Sequence, residues 1–177
     1  MAGARLGHFV AVTQIDYLSL DSDELDDAPA RGRLEVESLM AMLAIGYRFE
    51  RSRVGAHTDL LIGARQLSLD NTLTLDGLGT VEGDKDFVDP IVMLRPSLPL
   101  GRRWRFNPTI SFGSGGDSEK TWELQPQFHF QISDNVGLRV GYRRLYYEID
   151  SENGRNKFDG AFQGLIIGIG GTFGASP

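Results

Sequence analysis

The side chains with the most chemical potential in this chain are arginines and carboxylates recurring at alternate positions of β-patterned segments. Arg48, Arg65, Arg95, Arg105, Arg139 and Arg143 stand against Asp59, Asp89 and Glu123. Gathered on one interior face, they could form a charged gate, a small anion-preferring pore or a closed network. Buried charges must be paired and hydrogen-bonded, and the guanidinium fork can bridge two carboxylates, so the closed network is the expected solution. In it, Asp89 is expected to pair with a neighbouring arginine.

Other candidates are weaker. The Asp21–Asp27 stretch carries Asp21, Asp23, Glu24, Asp26 and Asp27, the oxygen donors a hard cation needs, but it has neither the register nor the glycine of an EF-hand and reads as a solvated loop. His8, His57 and His129 lie far apart; His57 with Asp59 or His129 with Glu123 could serve acid–base chemistry, yet no G-x-S-x-G elbow accompanies them. Ser111 and Ser114 sit in a Gly-rich turn. Gly164-x-x-x-Gly168 mimics a helix-dimer motif inside a strand-patterned segment, where glycine marks a kink or close packing. No catalytic activity, cofactor or bound metal is expected.

These groups need elements to hold them. The chain has 177 residues, enough for one core, and its composition of 41% hydrophobic and 24% charged residues is that of a folding chain. With 18 Lys+Arg against 24 Asp+Glu, the net charge of -6 argues against a nucleic-acid partner. The absence of Cys excludes disulfides, thiolate metal sites and Cys nucleophiles. The longest uncharged stretch, Gly160–Pro177, contains six glycines and cannot supply the ~20 apolar residues of a membrane-spanning helix. A membrane-spanning strand needs only about 9–11 residues with apolar side chains on alternate positions, so the mean hydropathy of -0.21 does not speak against one.

That alternation is present. From Thr121 to Ile132, Trp122, Leu124, Pro126, Phe128, Phe130 and Ile132 hold one parity, against Thr121, Glu123, Gln125, Gln127, His129 and Gln131. Trp104–Gly113 repeats the split. Arg5–Leu20, Leu34–Phe49, Val54–Leu69, Phe87–Leu100, Val136–Asp150 and Phe158–Phe173 complete a set of eight expected strands. One parity is bulky, with Tyr47, Phe49, Trp104, Phe106, Phe112, Trp122, Phe128, Phe130, Tyr142 and Phe173. The other mixes the charged residues with Gly and Ser, which suits the small interior of an eight-stranded barrel. The sequence therefore predicts an all-β fold: an antiparallel up-and-down transmembrane β-barrel of about eight strands, one domain over residues 1–177.

The connections support this. Asp21–Arg33 and Asn71–Asp86 are long and polar, whereas Glu50–Arg53, Gly101–Arg103 and Ser133–Asn135 are tight, the asymmetry of outer-membrane barrels. With a periplasmic N-terminus, Asp21–Arg33, Asn71–Asp86, Gly113–Ser118 and Ser151–Lys157 are expected outside the cell. Tyr47, Phe49, Trp104 and Phe173 would girdle the periplasmic interface, and Tyr17, Phe87, Phe112, Trp122, Tyr146 and Tyr147 the outer one. Pro90, Pro96, Pro108 and Pro126 stand against the pattern, because each removes a ladder donor.

Val88–Phe106 (VDPIVMLRPSLPLGRRWRF), Thr121–Asp150 and Leu165–Phe173 (LIIGIGGTF) resemble small outer-membrane β-barrel proteins of Gram-negative bacteria, of the OmpA-like or opacity type. Asp89-Pro90 opening a strand, the Gly141-Tyr142-Arg143 step and a final strand ending on Phe173 carry the likeness. The resemblance implies outer-membrane lipid and lipopolysaccharide as surroundings, and recognition of the C-terminal strand by the barrel-assembly machinery. Met1-Ala-Gly-Ala lacks the apolar region of a signal peptide, so the sequence reads as a mature, trimmed or partial form. The expected role is structural, surface-interacting or adhesive, with a plugged polar lumen. The alternatives are a narrow pore for small solutes and a soluble lipocalin-like binder with the bulky parity turned inward.

Overall fold

The computed structural model describes residues 1–22, 32–51, 55–75, 79–150 and 157–171. These form eleven strands of one antiparallel sheet and contain no helix. The strands are β1 (Ala2–Leu6), β2 (Phe9–Ser22), β3 (Gly32–Arg51), β4 (Ala56–Leu75), β5 (Gly79–Pro99), β6 (Trp104–Phe106), β7 (Thr109–Gly113), β8 (Lys120–Gln125), β9 (Gln127–Gln131), β10 (Val136–Asp150) and β11 (Lys157–Gly171). Each pairs antiparallel with its neighbours. β5 faces both β6 and β7, β10 faces both β8 and β9, and β11 adds to β10.

Three expected elements differ. The Arg5–Leu20 strand is a hairpin instead: Leu6 pairs with Phe9 around Gly7-His8, with Gly7 at φ 60° supplying the left-handed turn residue. The Arg48 N–H donates to the His8 carbonyl at 2.8 Å, fixing that turn against β3. The Asn71–Asp86 loop is a continuation of the β4–β5 ladder, which stays paired from His57–Ser97 to Leu75–Gly79. Thr72, Thr74, Thr80 and Val81 are β-branched and favour extended backbone, so a polar stretch prolongs the hairpin where a loop was expected.

The third difference lies at the prolines. Trp104–Gly113 and Lys120–Gln131 are each split in two, at Asn107-Pro108 and at Pro126. The register is the same on both sides, Phe106 opposite Phe128 and Thr109 opposite Gln125, which brings Pro108 level with Pro126. The β5 pairings Leu94–Ile110 and Leu98–Phe106 likewise bring Pro96 level with Pro108. Three prolines thus share one row of the sheet. Each lacks an N–H, so the ladder lapses there once rather than at scattered points. The Asn107 and Tyr142 N–H groups bridge the gap, donating to the Gln127 carbonyl at 2.8 Å and the Pro126 carbonyl at 3.1 Å.

The two faces of the sheet differ in kind. Leu43, Ile45, Ile62, Val92, Phe112, Leu165 and Ile167 are exposed on one. The other is buried because the sheet curls until distant strands meet: Met40 of β3, Leu67 of β4 and Phe87 of β5 pack with Leu145 and Tyr147 of β10. A second cluster joins Val10, Val12, Met42, Ala44, Leu61, Ile91 and Met93. The concave face is thus partly apolar, not only the expected mixture of charge and small residues. Phe87 and Tyr147, expected in the outer girdle, are 4% and 1% exposed and belong to this interior.

Glycine permits the curl where β3 and β4 cross. A Cβ on Gly63 would stand 2.0 Å from the Leu43 carbonyl oxygen, and one on Gly46 1.9 Å from that of Leu60. Gly63→Ala is expected to cost about 1–3 kcal/mol, seen as a lower urea midpoint at unchanged slope. An unaltered midpoint would show that the two strands can separate there without loss.

Candidate functional site

All nine charged residues singled out in the sequence lie on the concave parity, and the register orders them into two levels. At the middle level, the Glu123 carboxylate on β8 is held from both sides. Its Oε2 accepts from Arg65 Nη2 on β4 and its Oε1 from Arg143 Nε on β10 at 2.9 Å. Arg65 and Glu123 are 1% and 2% exposed, so neither charge has water as an alternative partner. Arg65 also donates to Ser111 Oγ at 2.8 Å and to Thr121 Oγ1 at 3.5 Å. Arg143 reaches on to Asp16 Oδ2 on β2 at 2.5 Å, an oxygen that also accepts from Gln14 Nε2 at 2.7 Å. Arg65, Glu123, Arg143 and Asp16 make one continuous chain of ion pairs across the interior.

Arg143 is paired in register with Gly164, and Arg139 with Gly168, so the inward parity of β11 offers no side chain at either point. Leu18 of β2 lines the same cavity as Phe162 and Ile166 of β11. The two strands therefore approach one another, although among the described residues β11 forms a ladder only with β10. The Gly164-x-x-x-Gly168 spacing is strand spacing; Gly168 is clearance for Arg139, whose Nε would lie 2.8 Å from a Cβ there, whereas a Cβ on Gly164 would meet nothing within 4 Å.

Asp89 departs from its expected pairing. It is opposite Arg65 in the β4–β5 ladder, yet Arg65 is committed to Glu123 and forms no ion pair with it. Asp89 is fully buried; its Oδ1 accepts the Ser118 N–H at 2.9 Å and its Oδ2 has no hydrogen-bond partner. The residue ties the turn after β7 to β5. Val88 N–H, donating to Asp117 Oδ2 at 2.8 Å, reinforces the tie.

At the second level, toward the tight connections, Arg48 grips Asp59 with both ends of its fork, Nε to Oδ1 at 2.7 Å and Nη2 to Oδ2 at 2.9 Å. Arg95 lies opposite Asp59 in register. Further round, Arg105, His129 and Arg139 stand level on β6, β9 and β10. Arg105 donates at 3.0 Å to both the Gly55 carbonyl and Ser97 Oγ.

Of the aromatic set, Tyr47, Phe49, Trp104, Phe112, Phe128 and Tyr142 are exposed on the outer face. Phe106, Phe130 and Trp122 are half-buried because rings cover one another: Trp104 with Phe130, Phe106 with Phe128, and Trp122 with Tyr146, at centroid distances of 4.9, 5.0 and 5.7 Å. Phe173 lies outside the described residues, as does the Asp21–Asp27 run from residue 23 onward. Among the described residues no three His or acidic side chains converge on a metal position. Glu123 is engaged by arginines and Ser111 by Arg65, so neither forms a hydrogen bond with His129. Asp16 was missed in the sequence. Its signal was parity: it follows Val10, Val12 and Gln14 on the face opposite Ile15 and Tyr17.

No protein-family profile and no curated protein matches this chain.

Removing the carboxylate between two arginines leaves Arg65, 1% exposed, without an ion-pair partner and Arg143 with Asp16 alone. Glu123→Ala is expected to cost about 3–5 kcal/mol, measured as the shift in urea midpoint. Arg5→Ala, which breaks an exposed pair with Glu50, should cost at most about 1 kcal/mol by the same measurement.

Proposed function

We propose that the chain is a β-barrel of the bacterial outer membrane, with its interior plugged by the ion-pair chain and a structural, surface-interaction or adhesive role carried by its connections. The observation that supports this is the inversion of the two faces. Large apolar side chains are exposed on nearly every strand, Ile45 at 60%, Ile62 at 62% and Ile167 at 74%, while Arg65, Asp89 and Glu123 are buried opposite them. Water penalises such an exterior, whereas hydrocarbon solvates it and the lumen keeps the charges. A lipocalin-like binder needs the reverse arrangement, which weighs against that reading.

Dimensions agree with a lipid environment. On β3 the outward apolar run from Leu39 to Phe49 covers eleven residues, the length of about 9–11 that a tilted strand needs to cross. Beyond it the surface turns polar, with Asp70, Asp84, Lys85 and Asp86 exposed on the projecting β4–β5 hairpin. Tyr17, donating to Glu37 Oε1 at 3.0 Å, stands at that change, where an amphipathic ring is favoured. The resemblance to OmpA-like and opacity-type barrels points the same way. Lipid and lipopolysaccharide would surround the apolar band, and the assembly machinery would receive the last strand.

Refolding into detergent should give a β-rich product whose unboiled gel band migrates apart from the boiled one, and planar bilayers containing it should show no stepwise conductance. Steady conductance would favour the narrow pore. A folded monomer in plain buffer, with no shift on boiling, would overturn the membrane assignment.

A further inference from the structure

We propose that the end of the concave face bearing the tight connections is a binding site for phosphate-bearing anions, built by Arg105, Arg139 and His129. The observation is an unbalanced charge. At the middle level Arg65 and Arg143 face Asp16, Asp89 and Glu123; at this end four strand arginines, Arg48, Arg95, Arg105 and Arg139, share the concave parity with one strand carboxylate, Asp59, among the described residues, and Asp134 lies in the turn after β9. Asp59 is already used, because Arg48 occupies both its oxygens. Arg95, Arg105 and Arg139 are left without a carboxylate, in a protein whose net charge is -6.

What these arginines touch instead is neutral. Arg105 donates to a backbone carbonyl and a serine hydroxyl, and Arg95 Nη2 lies 3.9 Å from the Met1 sulfur. Arg139 Nε is enclosed with no hydrogen-bond partner. A partly desolvated guanidinium without an anion is costly, and Arg105 and Arg139 lining one cavity call for a ligand with more than one negative charge. The planar fork matches the oxygen pairs of a phosphate better than it matches a monovalent ion.

There is room for such a ligand. A half-open cavity of about 400 Å³ lies here, lined by Arg102, Arg103, Arg105, His129 and Arg139, with Asp134 its acidic lining residue; Met1, which Arg95 touches, lines it in place of Arg95 itself. This falls in the range of about 300–1,000 Å³ in which small-molecule sites occur. The undescribed segments that adjoin this end in sequence, 52–54 and 172–177, contain no Asp or Glu. Gly168 completes the site: a Cβ there would stand 2.8 Å from Arg139 Nε, so the missing side chain is what lets the guanidinium lie where it does. A phosphorylated solute and a phospholipid headgroup share the required chemistry.

The test is calorimetric titration of the full chain, in whichever medium it folds, so that it stands apart from the membrane assignment. The probes are pyrophosphate and soluble dihexanoyl phosphatidic acid. Binding of pyrophosphate alone would indicate a free solute, and tighter binding of the phosphatidic acid a lipid headgroup; either supports the site. Arg139→Gln and Arg105→Gln should each weaken binding at least about tenfold, the loss of one charge-assisted hydrogen bond. Gly168→Val, which keeps every charge but displaces Arg139, should weaken it as well. Arg144→Gln removes the same charge from the outer face, where Arg144 lies 5.7 Å from the centre of the Trp122 ring, and should change nothing. No heat with either probe at millimolar concentration would overturn the proposal. So would equal losses in Arg139→Gln and Arg144→Gln, which would reduce the effect to net charge.

Discussion

The Glu123 carboxylate, clasped between Arg65 and Arg143, is the interaction on which the curvature of this sheet depends. Backbone ladders link each strand to its neighbours, but they do not bring β4 to β8 or β10 to β2; side chains do that. A buried carboxylate without partners would be expelled or neutralised, so the sheet must close far enough for both arginines to arrive together. Arg143 then carries the connection to Asp16. The apolar clusters around Met40–Tyr147 and Val10–Met93 fill the space above and below the charges. Dispersion and ion pairing thus share an interior too narrow for water-filled volume throughout.

The charges within that interior are not evenly spread. At the middle level Glu123 is shared by two arginines and Asp16 by Arg143 and Gln14, while Asp89 is held by the Ser118 N–H alone. The level near the tight connections is cationic once Asp59 is committed to Arg48. Each unpaired buried ion destabilises the fold. The surplus sits where a cavity opens, and this coincidence of charge and space distinguishes that end from the ion-paired middle level.

Irregularities of the sheet serve the same design. Pro96, Pro108 and Pro126 fall in one row, confining the loss of ladder hydrogen bonds to a single level while register continues unbroken. Gly46 and Gly63 allow β3 and β4 to cross closely. Gly168 of β11 does a third thing, leaving space for the Arg139 guanidinium of β10. In each case the backbone accommodates what the interior requires.

The sequence by itself determined which face each side chain would take. Alternation has a period of two residues, so Arg48, Asp59, Arg65 and Glu123 had to share a side opposite Tyr47, Leu60, Ile62 and Leu124 once the backbone was extended. The prolines and the polar β4–β5 extension misled because composition is only a correlate of loops, whereas backbone pairing is the cause of strands. What only the tertiary structure decided is partner choice. Asp89 lies beside Arg65 in the ladder, yet Arg65 turns across the interior to Glu123, because the curl brings that carboxylate within reach of two arginines at once. Asp16 enters the network and Arg139 is left unpaired for the same reason: one-dimensional parity names the face, and three-dimensional curvature sets which charges on it can touch.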